Sequence, residues 1–414
     1  MIPLGASHPL ELAKTKMPSI CCDSLVLGGG LAGAAAASAL AKRGADVLLC
    51  EACPELAHKA SGNAYGLIMP YITDRPSNFE RAYSAGFTFT RELLTGDLAK
   101  SSLFHPSGGI QLPSTQRLER LVATQNPLLS PCTVHRVSAE EASQLSGIEV
   151  SSKAFYASEA GFVSPRDLVH AMVKHSVKVK TSSRAVSLQR TAGLWRTEIS
   201  TGEVVESQSV VLCAAHESTS LDCAQLLPVE AVRGQTLLLS PTAHSQQLKT
   251  LLCFDGYITP ESSGLHLAGA LYRHQDHRTE ALSEDSTEIL ERLRRWTPSL
   301  FPAGTAPQAA RACFRTSTFD RLPYVGALPD FSSMRSEAQS YQSGTDLLAR
   351  VQMRPLPGMY VSLGHGSRGL NSCPMSGEIV ARLISNEPLG ALSDVAQILS
   401  PERLALRILS AAVA

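Results

Sequence analysis

The sequence predicts an α/β fold in which a Rossmann-like dinucleotide-binding domain is interrupted by an α+β domain with a large antiparallel sheet. The chain opens with an apolar strand, a small-residue helix and a second apolar strand, at 23–28, 31–43 and 46–50, which is a βαβ unit. Its middle carries patterns typical of antiparallel strands. Its end returns to a strand, 357–363, followed by a glycine-rich turn and a helix, 374–385.

The length of the chain predicts two domains. A single hydrophobic core stops growing near roughly 250–300 residues, and this chain has 414. Because the opening βαβ unit and the closing strand, turn and helix fit one Rossmann-like domain, we expect that domain to be discontinuous, with residues 18–75, 151–225 and 310–414. The second, substrate-binding domain is expected to take residues 76–150 and 226–309.

Composition and charge are those of an ordinary globular protein and limit the kinds of partner that we expect. Hydrophobic residues make up 44% and charged residues 18%, as in ordinary soluble proteins. Lys and Arg total 37, as do Asp and Glu, so no strong overall field draws the chain towards nucleic acid or an anionic membrane. A nucleic-acid partner would therefore need a local basic face. Two clusters are candidates, although each is more often a solvated surface: Lys174, Lys178, Lys180 and Arg184, and Arg292, Arg294 and Arg295.

The spacing of the cysteines and the length of the apolar segments indicate the cellular compartment of the protein. The ten cysteines have no repeating spacing, so we expect mostly buried free thiols in a reducing compartment. Cys50 and Cys53 form one CxxC, but it flanks Glu51 at a strand end instead of opening a helix, which disfavours a redox site. Residues 1–20 lack the apolar core of a secretory signal, and the glycine-rich stretch 25–40 is too short for a membrane span. The expected location is the cytoplasm, without a membrane partner.

Hydrophobic periodicity and turn residues predict the elements between these landmarks. Pro165 after Ser164 is typical of a helix start, and Thr201-Gly202 of a turn between strands. The predicted helices cover residues 76–98, 117–124, 139–144, 165–174 and 283–296, and a polar loop with a short helix covers 331–350. The predicted strands cover 110–112, 177–180, 185–189, 194–200, 209–214, 229–240, 251–259 and 265–272, of which the second, third and fourth are expected to form a meander.

A GxGxxG spacing, from Gly28 to Gly33, lies between the first strand and the first helix. Its first glycine permits a tight turn, its second the approach of a pyrophosphate, and its third close packing of helix on strand. Glu51 follows Gly30 by 21 residues, where a carboxylate can accept from ribose hydroxyls and would repel the extra phosphate of NADP. The pattern does not separate NAD from FAD, and a purely structural glycine turn is the alternative. The predicted contacts are Gly28, Gly30, Leu31, Ala32, Gly33 and Glu51.

Blocks of sequence spread along the chain carry a family resemblance. They are Lys59–Gly66 (KASGNAYG), Ala85–Arg91, Ala160–Pro165, Val232–Gln235 (VRGQ), Arg315–Gly326, Gly364–Leu370 (GHGSRGL) and Pro401–Leu404. They resemble the oxidase domain of bifunctional tRNA 5-methylaminomethyl-2-thiouridine biosynthesis enzymes, a member of the D-amino-acid-oxidase-like, glycine-oxidase-like flavoprotein family. The resemblance runs from about residue 21 to the end, and it does not include the methyltransferase part of those enzymes.

The resemblance implies FAD as the cofactor and assigns roles to individual residues. By it, the N–H groups of the late glycine-rich turn face the flavin pyrimidine oxygen and stabilise the reduced, anionic flavin. Arg315 and Arg368 match two arginines that hold a substrate carboxylate, and Tyr257 lies at a pocket-lining position. The alternatives are two surface arginines and a core tyrosine. The further cofactor contacts implied are Ser61, Gly62, Asn63, Gly364, Gly366, Ser367, Arg368, Gly369 and Leu370.

The sequence also departs from the family pattern. His216 stands where the family usually has glycine, so local cofactor contacts are expected to differ. Cys313 lies near the position at which some sarcosine-oxidase relatives attach FAD covalently, but a buried free thiol is the expectation. His274 and His277 form an HxxH without further ligands nearby in sequence, so no metal site is predicted.

The reaction implied by the resemblance is oxidation of the 5-carboxymethylaminomethyl group on the wobble uridine of tRNA. Glyoxylate is released, an aminomethyl group stays on the base, dioxygen reoxidises the flavin, and a separate methyltransferase is a possible next enzyme. One alternative is a small-molecule amine oxidase acting on glycine, sarcosine or a D-amino acid, which are amines that bear a carboxylate. Another is a flavoprotein-like fold kept for binding or assembly without catalysis.

Overall fold

At both ends of the chain, the helices and strands follow the order that the sequence predicts. A computed structural model describes residues 19–101, 103–124, 133–174, 176–339, 351–405 and 407–409. The helices are α1 (Leu31–Ala41), α2 (Asn78–Thr95), α3 (Gln116–Ala123), α4 (Ala139–Ser146), α5 (Pro165–Val173), α6 (Ser283–Trp296), α7 (Phe331–Ala338), α8 (Gly369–Ile384) and α9 (Ser393–Leu399).

The strands group into three sheets. They are β1 (Ser19–Leu27), β2 (Val47–Cys50), β3 (Gly66–Ile68), β4 (Phe104–His105), β5 (Gly109–Gln111), β6 (Val134–Val137), β7 (Ala154–Ala157), β8 (Gly161–Val163), β9 (Lys178–Lys180), β10 (Ala185–Thr191), β11 (Leu194–Ile199), β12 (Val204–Leu212), β13 (Val229–Leu239), β14 (Leu251–Cys253), β15 (Tyr257–Ile258), β16 (His266–Arg273), β17 (Ala309–Thr318), β18 (Tyr324–Pro329) and β19 (Pro355–Leu363).

The first sheet has a parallel centre, in the order β9-β2-β1-β12-β19. Antiparallel strands extend it, with β10 and β11 beside the first half of β12 and β18 beside β19. Residues 25–27, 47–49 and 210–212 are all buried, because apolar residues cover both faces of this sheet. This is the arrangement that the opening βαβ unit predicts.

Helices α1 and α8 pack closely on one face of this sheet. Gly377 permits it, because a Cβ there would lie 2.5 Å from the backbone carbon of Ala35. Pro374 sits inside α8, where it removes the hydrogen bond that the carbonyl of Leu370 would accept. The hydroxyl of Thr90 in α2 donates to that carbonyl over 3.0 Å instead. The interaction compensates the missing N–H and ties α2 to the start of α8.

The second sheet is built from the order β17-β13-β16-β15-β14-β5-β7-β6. Helix α6 covers it through Ile289, Leu290 and Leu293, which share one buried cluster with residues of β13 and β16. Strands β13 and β17 pair antiparallel with Arg315 opposite Val232. The third sheet, β3-β8-β4, has three strands. Within the described ranges, no helix is both long and apolar enough to cross a lipid bilayer.

The predicted fold class is confirmed, but several elements differ from expectation. The predicted meander is wrong at its first strand, because β9 pairs parallel with β2 at the far edge of the sheet. The strand predicted over 251–259 is a hairpin, β14 and β15, closed by a hydrogen bond from Phe254 N–H to Gly256 O. Of the polar segment 331–350, α7 is observed, and residues 340–350 lie outside the described ranges.

The helix near the C-terminus begins five residues before the predicted start at 374, because Gly369 opens it and Pro374 is accommodated within it. Strands β17 and β18 were not predicted, since arginines interrupt the apolar pattern of β17. The domain boundaries remain a prediction. That division places β7 and β17 almost wholly in the dinucleotide-binding domain. In the structure both strands belong to the second sheet, where β7 pairs with β5 and β17 pairs with β13.

Candidate active site

A cavity of ≈840 Å³ opens at the carboxyl ends of the parallel strands. Residues following β1, β2, β12 and β19 line one side, and residues of β15, β16 and β17 line the other. The crevice beyond the carboxyl ends of an open parallel sheet is where such folds bind nucleotide ligands. The volume lies in the usual range for small-molecule and cofactor sites, which is about 300–1,000 Å³.

The glycine-rich turn from Gly28 to Gly33 forms one end of the cavity. Gly28 has a φ of +112°, and a Cβ there would lie 2.6 Å from the carbonyl oxygen of Cys213, the residue that follows β12. A Cβ on Gly33 would overlap the carbonyl oxygen of Gly28, so only glycine lets α1 pack against the strand. Gly28, Gly30, Leu31 and Ala32 line the cavity, whereas Gly33 has this packing role behind it.

Two side chains, those of Glu51 and Ser61, accept hydrogen bonds from backbone N–H groups of that turn. Glu51 accepts from the N–H of Gly29 over 2.6 Å and from the N–H of Cys53 over 2.7 Å. A carboxylate has about four lone-pair sites, so Glu51, which lines the cavity, retains capacity for ribose hydroxyls. The Ser61 hydroxyl accepts from the N–H of Leu31 over 3.0 Å. The Leu31 N–H is therefore not free, whereas the Ser61 hydroxyl, which lines the cavity, still has its own O–H to donate.

The Ser61–Asn63 segment is held in place by an arginine that the sequence reasoning missed. Arg311 of β17 donates to the carbonyls of His58 and Lys59 over 2.6 and 2.7 Å. A Cβ on Gly62 would lie 2.5 Å from the carbonyl oxygen of Ala57 and 2.6 Å from Arg311 Nη2. Ser61 and Asn63 line the cavity, and Gly62 is the close-packed residue between them. Spacing alone could have found Arg311, since it lies four residues before Arg315 and thus on the same strand face.

The late glycine-rich turn forms the opposite end of the cavity. Gly366, Ser367, Gly369 and Leu370 line it, whereas Gly364 does not. The N–H groups of Gly366 and Arg368 are used internally, by the carbonyls of Thr316 and His365 over 2.8 and 3.1 Å. Among the described residues no partner is found for the N–H groups of Ser367, Gly369 and Leu370. These three amides, at the start of α8, are the donors that remain for a ligand.

A buried histidine fixes the shape of this turn. His365 Nε2 lies 3.0 Å from Ser362 Oγ at the end of β19, and Nδ1 lies 2.8 Å from Ser372 Oγ in α8. Burial lowers the pKa of His365 to about 4, so the ring is neutral near pH 7. The imidazole bridges strand and helix on both sides of the turn, which keeps the amides in place.

Arg315 reaches the cavity from β17 with an unsatisfied guanidinium. Its Nη1 is buried and has no hydrogen-bond partner in the part of the chain that the structure describes. Its Cζ lies 4.8 Å from the ring centroid of Tyr272 on β16, a cation–π contact. Its Nη1 also lies against the backbone of Gly234, in the space that a Cβ would take. The tip of Arg315 is therefore positioned by stacking and shape, without a carboxylate.

Arg368 enters the same cavity from the late turn. Its Cζ lies 5.1 Å from the ring centroid of Tyr71 and 5.6 Å from that of Tyr83. Burial lowers the pKa of Arg368 and raises that of Tyr83 to about 12, yet an arginine stays protonated in proteins. No carboxylate among the described residues pairs with Arg368. The predicted pair Arg315 and Arg368 thus brings two unneutralised cations to one chamber.

Tyr257 and His216 also line the cavity. Burial raises the pKa of Tyr257, so its phenol is neutral. The N–H of His216 donates to Thr316 Oγ1 over 2.9 Å, and burial lowers the pKa of its ring. The backbone hydrogen bond joins the segment after β12 to β17, and the His216 ring adds a side chain to the cavity wall where the family pattern has glycine.

The cysteines that the structure describes are free thiols, and the two histidines of the HxxH pair lie on the surface loop after β16. Cys313 is a free, half-buried thiol on the cavity wall. Burial raises the pKa of Cys50 to about 12 and also raises that of Cys53, which disfavours the reactive thiolate of a CxxC redox site. His274 instead accompanies Glu230 at 3.0 Å. The described residues include no group of three or more His, Cys, Asp or Glu placed to hold a metal ion.

Carboxylates and backbone carbonyls engage most of the two predicted basic clusters. Lys178 pairs with Asp46 at 2.7 Å, and Lys180 with Glu203 at 2.9 Å. In the second cluster Arg292 pairs with Glu288 at 2.6 Å. Arg184 lies 3.8 Å from Glu217 and Arg295 3.6 Å from Asp255, while Arg294 donates to the carbonyls of Phe301 and Pro302. Lys174 is exposed and has no carboxylate partner among the described residues. Most of the charge in the two clusters is therefore paired.

A Rossmann-like sheet with a glycine cradle, an acidic strand end and three free amides at the late turn defines a dinucleotide-binding site. Residues 23–383 match the family described as FAD dependent oxidoreductase, and the chain belongs to that family. FAD is therefore its cofactor, and the residues present fit it. The cavity joins the glycine turn, Glu51 and Ser61 at one end to the unpaired amides of the late turn at the other.

One relative in sequence and two solved structures show what this chain is similar to. The tRNA 5-methylaminomethyl-2-thiouridine biosynthesis bifunctional protein MnmC of Methylobacillus flagellatus is 33% identical over 390 residues, which are 93% of this chain and 59% of that protein. The chain thus spans well under two thirds of the length of the curated relative. Glycine oxidase from Geobacillus kaustophilus has a similar fold, with a TM-score of 0.70 at 19% identity over 89% of this chain and 96% of that one. L-proline dehydrogenase from P. horikoshii has a TM-score of 0.74 at 17% identity over 94% and 99% of the two chains.

Proposed function

We propose that this flavoenzyme oxidises a secondary amine that carries a carboxymethyl group, namely the 5-carboxymethylaminomethyl group of the tRNA wobble (2-thio)uridine. The observation that carries the proposal is the pair of cavity-lining arginines, Arg315 and Arg368, without carboxylate partners in the described chain. Unpaired charge and unsatisfied donors inside a protein are costly. A substrate carboxylate would supply the missing partner through charge-assisted hydrogen bonds.

The arginines set the orientation of the substrate. Stacking on Tyr272 for Arg315, and on Tyr71 and Tyr83 for Arg368, limits the planes that each guanidinium can adopt. A carboxylate held in this way fixes the position of the adjacent methylene, and such positioning can supply much of a rate enhancement. FAD, when bound, supplies the acceptor for the hydride removed from that methylene.

The reaction balances without a charged protein acid or base. A C–H bond of the methylene between nitrogen and carboxylate breaks, the hydride leaves with two electrons, and the amine proton passes to solvent. Water then adds to the resulting imine, and the C–N bond breaks to give glyoxylate and the aminomethyl group on the base. Tyr257 and His365 are both neutral near pH 7, because burial raises the pKa of the phenol and lowers that of the imidazole. A substrate amine that binds unprotonated needs neither as a base.

The choice of tRNA as substrate rests on the relatives and on the resemblance of the sequence blocks. The curated relatives are named as tRNA-modifying proteins, and this chain corresponds to part of their length. We accordingly propose a cytoplasmic enzyme, with a separate methyltransferase as the next to act on the product. A small-molecule amine oxidase acting on glycine, sarcosine or a D-amino acid is the alternative.

The test is incubation of the FAD-loaded protein with tRNA from cells that lack this activity. Nucleoside mass spectrometry should show conversion of the carboxymethylaminomethyl group to aminomethyl, with release of an equal amount of glyoxylate. Arg315→Lys, which keeps the charge and loses the planar fork, should convert the same tRNA more slowly. Unchanged tRNA together with efficient turnover of free sarcosine or glycine would replace the proposal with the alternative. Protein that stays colourless after addition of FAD would overturn both.

A further inference from the structure

Two arginines and two aromatic rings contact one another in a row that begins at the cavity. Arg117 and Tyr71 line the cavity, and Arg117 Cζ lies 5.5 Å from the ring centroid of Tyr71. The Tyr71 ring meets the Phe79 ring edge-on, with centroids 4.8 Å apart. Arg321 Cζ lies 5.1 Å from the ring centroid of Phe79. These four residues, Arg117, Tyr71, Phe79 and Arg321, form the rim strip.

The two arginines of the rim strip are exposed and not neutralised. Neither Arg117 nor Arg321 pairs with a carboxylate in the part of the chain that the structure describes. Arg117 donates one N–H to the carbonyl of Ile72 over 2.8 Å, which leaves further donors. Asp320, the acidic neighbour of Arg321, is bound by Arg403 at 2.9 Å. The rim strip is therefore a basic surface, in contrast to the two clusters that the sequence singled out.

The side chains of the rim strip match what single-stranded RNA requires. An arginine stacked on an aromatic ring has a fixed plane, while its N–H groups remain available to a phosphate and its outer face to a base. Bases outside a helix are typically recognised by stacking on aromatic rings or guanidinium planes. The chain has no overall positive charge, so an RNA-binding enzyme of this composition needs such a local surface.

We propose that the rim strip binds the RNA strand flanking the modified uridine, an inference that rests on the proposed function. A nucleotide whose base enters the cavity leaves its neighbours at the rim, where Tyr71 and Arg117 lie. Phe79 and Arg321 do not line the cavity. A small free amine held by Arg315 would therefore not need them, whereas a strand that continues across the rim would.

The test compares RNA binding and turnover in Arg117→Gln, Arg321→Gln and the double variant. Binding of a fluorescent anticodon stem-loop is measured by anisotropy over a range of salt concentrations. Loss of an arginine that contacts a phosphate should reduce the steepness of log K against log salt by ~0.7, the value per phosphate contact for single strands. In turnover of tRNA, the KM should rise in all three variants, and Arg321→Gln, a change outside the cavity, should keep the kcat at saturation. For the modified nucleoside alone, Arg321→Gln should leave kcat/KM unchanged.

Arg190→Gln is the matched control, because Arg190 is exposed on β10, donates to Gly193 O over 3.3 Å and does not line the cavity. It should keep the wild-type salt slope, and all variants should keep the flavin spectrum. A double variant with the wild-type slope and KM, or a control that changes as much, overturns the inference. Salt-dependent binding that is lost in the double variant, without oxidation of the RNA, supports the rim strip and overturns the proposed reaction.

Discussion

Replacing Arg315 by Met should abolish most activity while leaving the fold intact or more stable. Buried Nη1 of Arg315 has no hydrogen-bond partner in the described chain, so removing this atom breaks no hydrogen bond with the described residues. It removes one cation–π contact with Tyr272, worth ~0.5–1 kcal/mol. It also removes an unsatisfied buried donor, which costs about 1–3 kcal/mol in the native state. The free energy of unfolding should therefore stay level or rise.

The effect on catalysis should be opposite in sign. Hydrogen bonds to charged groups contribute about 1.5–3 kcal/mol each, and Arg368 remains in the variant to hold part of the substrate. We expect a loss of about 3–4 kcal/mol in transition-state stabilisation, which is ~10²–10³-fold in kcat/KM. Arg315→Lys should lose less, since it keeps the charge.

Steady-state kinetics with the carboxymethylated substrate and thermal unfolding followed by flavin fluorescence measure both quantities on one preparation. Arg190→Met controls for the loss of an exposed arginine elsewhere, and should change neither. The reasoning is refuted if Arg315→Met keeps wild-type kcat/KM. It is refuted equally if the variant unfolds at a clearly lower temperature, because Arg315 would then be a structural residue.

Three further predictions follow from the same geometry. Gly234→Ala should fold, because its Cβ meets only the flexible tip of Arg315, but displacement of that tip should reduce kcat/KM as Arg315→Met does; normal activity would contradict this. Ser61→Ala removes the acceptor for Leu31 N–H and a donor to the cofactor, so the Kd of FAD, measured by fluorescence titration, should rise ~3–10-fold, and an unchanged Kd argues against that contact. His365 is neutral when folded, with a pKa of about 4 against 6.5 when exposed. The unfolded chain therefore binds that proton first, and stability should fall by up to ~3 kcal/mol from about pH 6.5 to 4. His365→Asn should reduce this difference in unfolding experiments, and an identical pH dependence would contradict the assignment.

Elements with strong local signals were predictable from the sequence. Helix α6 has the predicted bounds of Ser283 to Trp296, because its apolar period and the following Pro298 are both local features. The glycine turn with Glu51 was predicted for the same reason, since strand, turn, helix and acid follow one another within about 30 residues. Gly33, Gly62 and Gly364, three of the predicted cofactor contacts, do not line the cavity; their roles towards the cofactor remain a prediction, and each is packed so closely that a Cβ would meet neighbouring atoms.

The misses share a cause. Strand β17 was not predicted because Arg311 and Arg315 interrupt its apolar pattern, and both face a cavity that exists only after the two large sheets meet. The start of α8 was placed too late, because the hydrogen bond from Thr90 that permits Pro374 comes from another helix. The pairing of β9 with β2 likewise depends on a crossover, not on local pattern.

By itself, the sequence determined the Rossmann-like fold class, the glycine cradle with its acidic partner, the flavoprotein family and the two arginines to examine. Periodicity, turn residues and motif spacing encode the fold class and the glycine cradle within short segments, whereas the family and the two arginines are implied by the resemblance of longer sequence blocks. Only the tertiary structure decided that Arg315 and Arg368 share one chamber with no counter-charge among the described residues, and that the exposed arginines of the rim strip lack carboxylate partners there while most of the two predicted clusters is paired. Whether a charge is free depends on which carboxylates the fold brings to it, and those come from residues far apart in the chain.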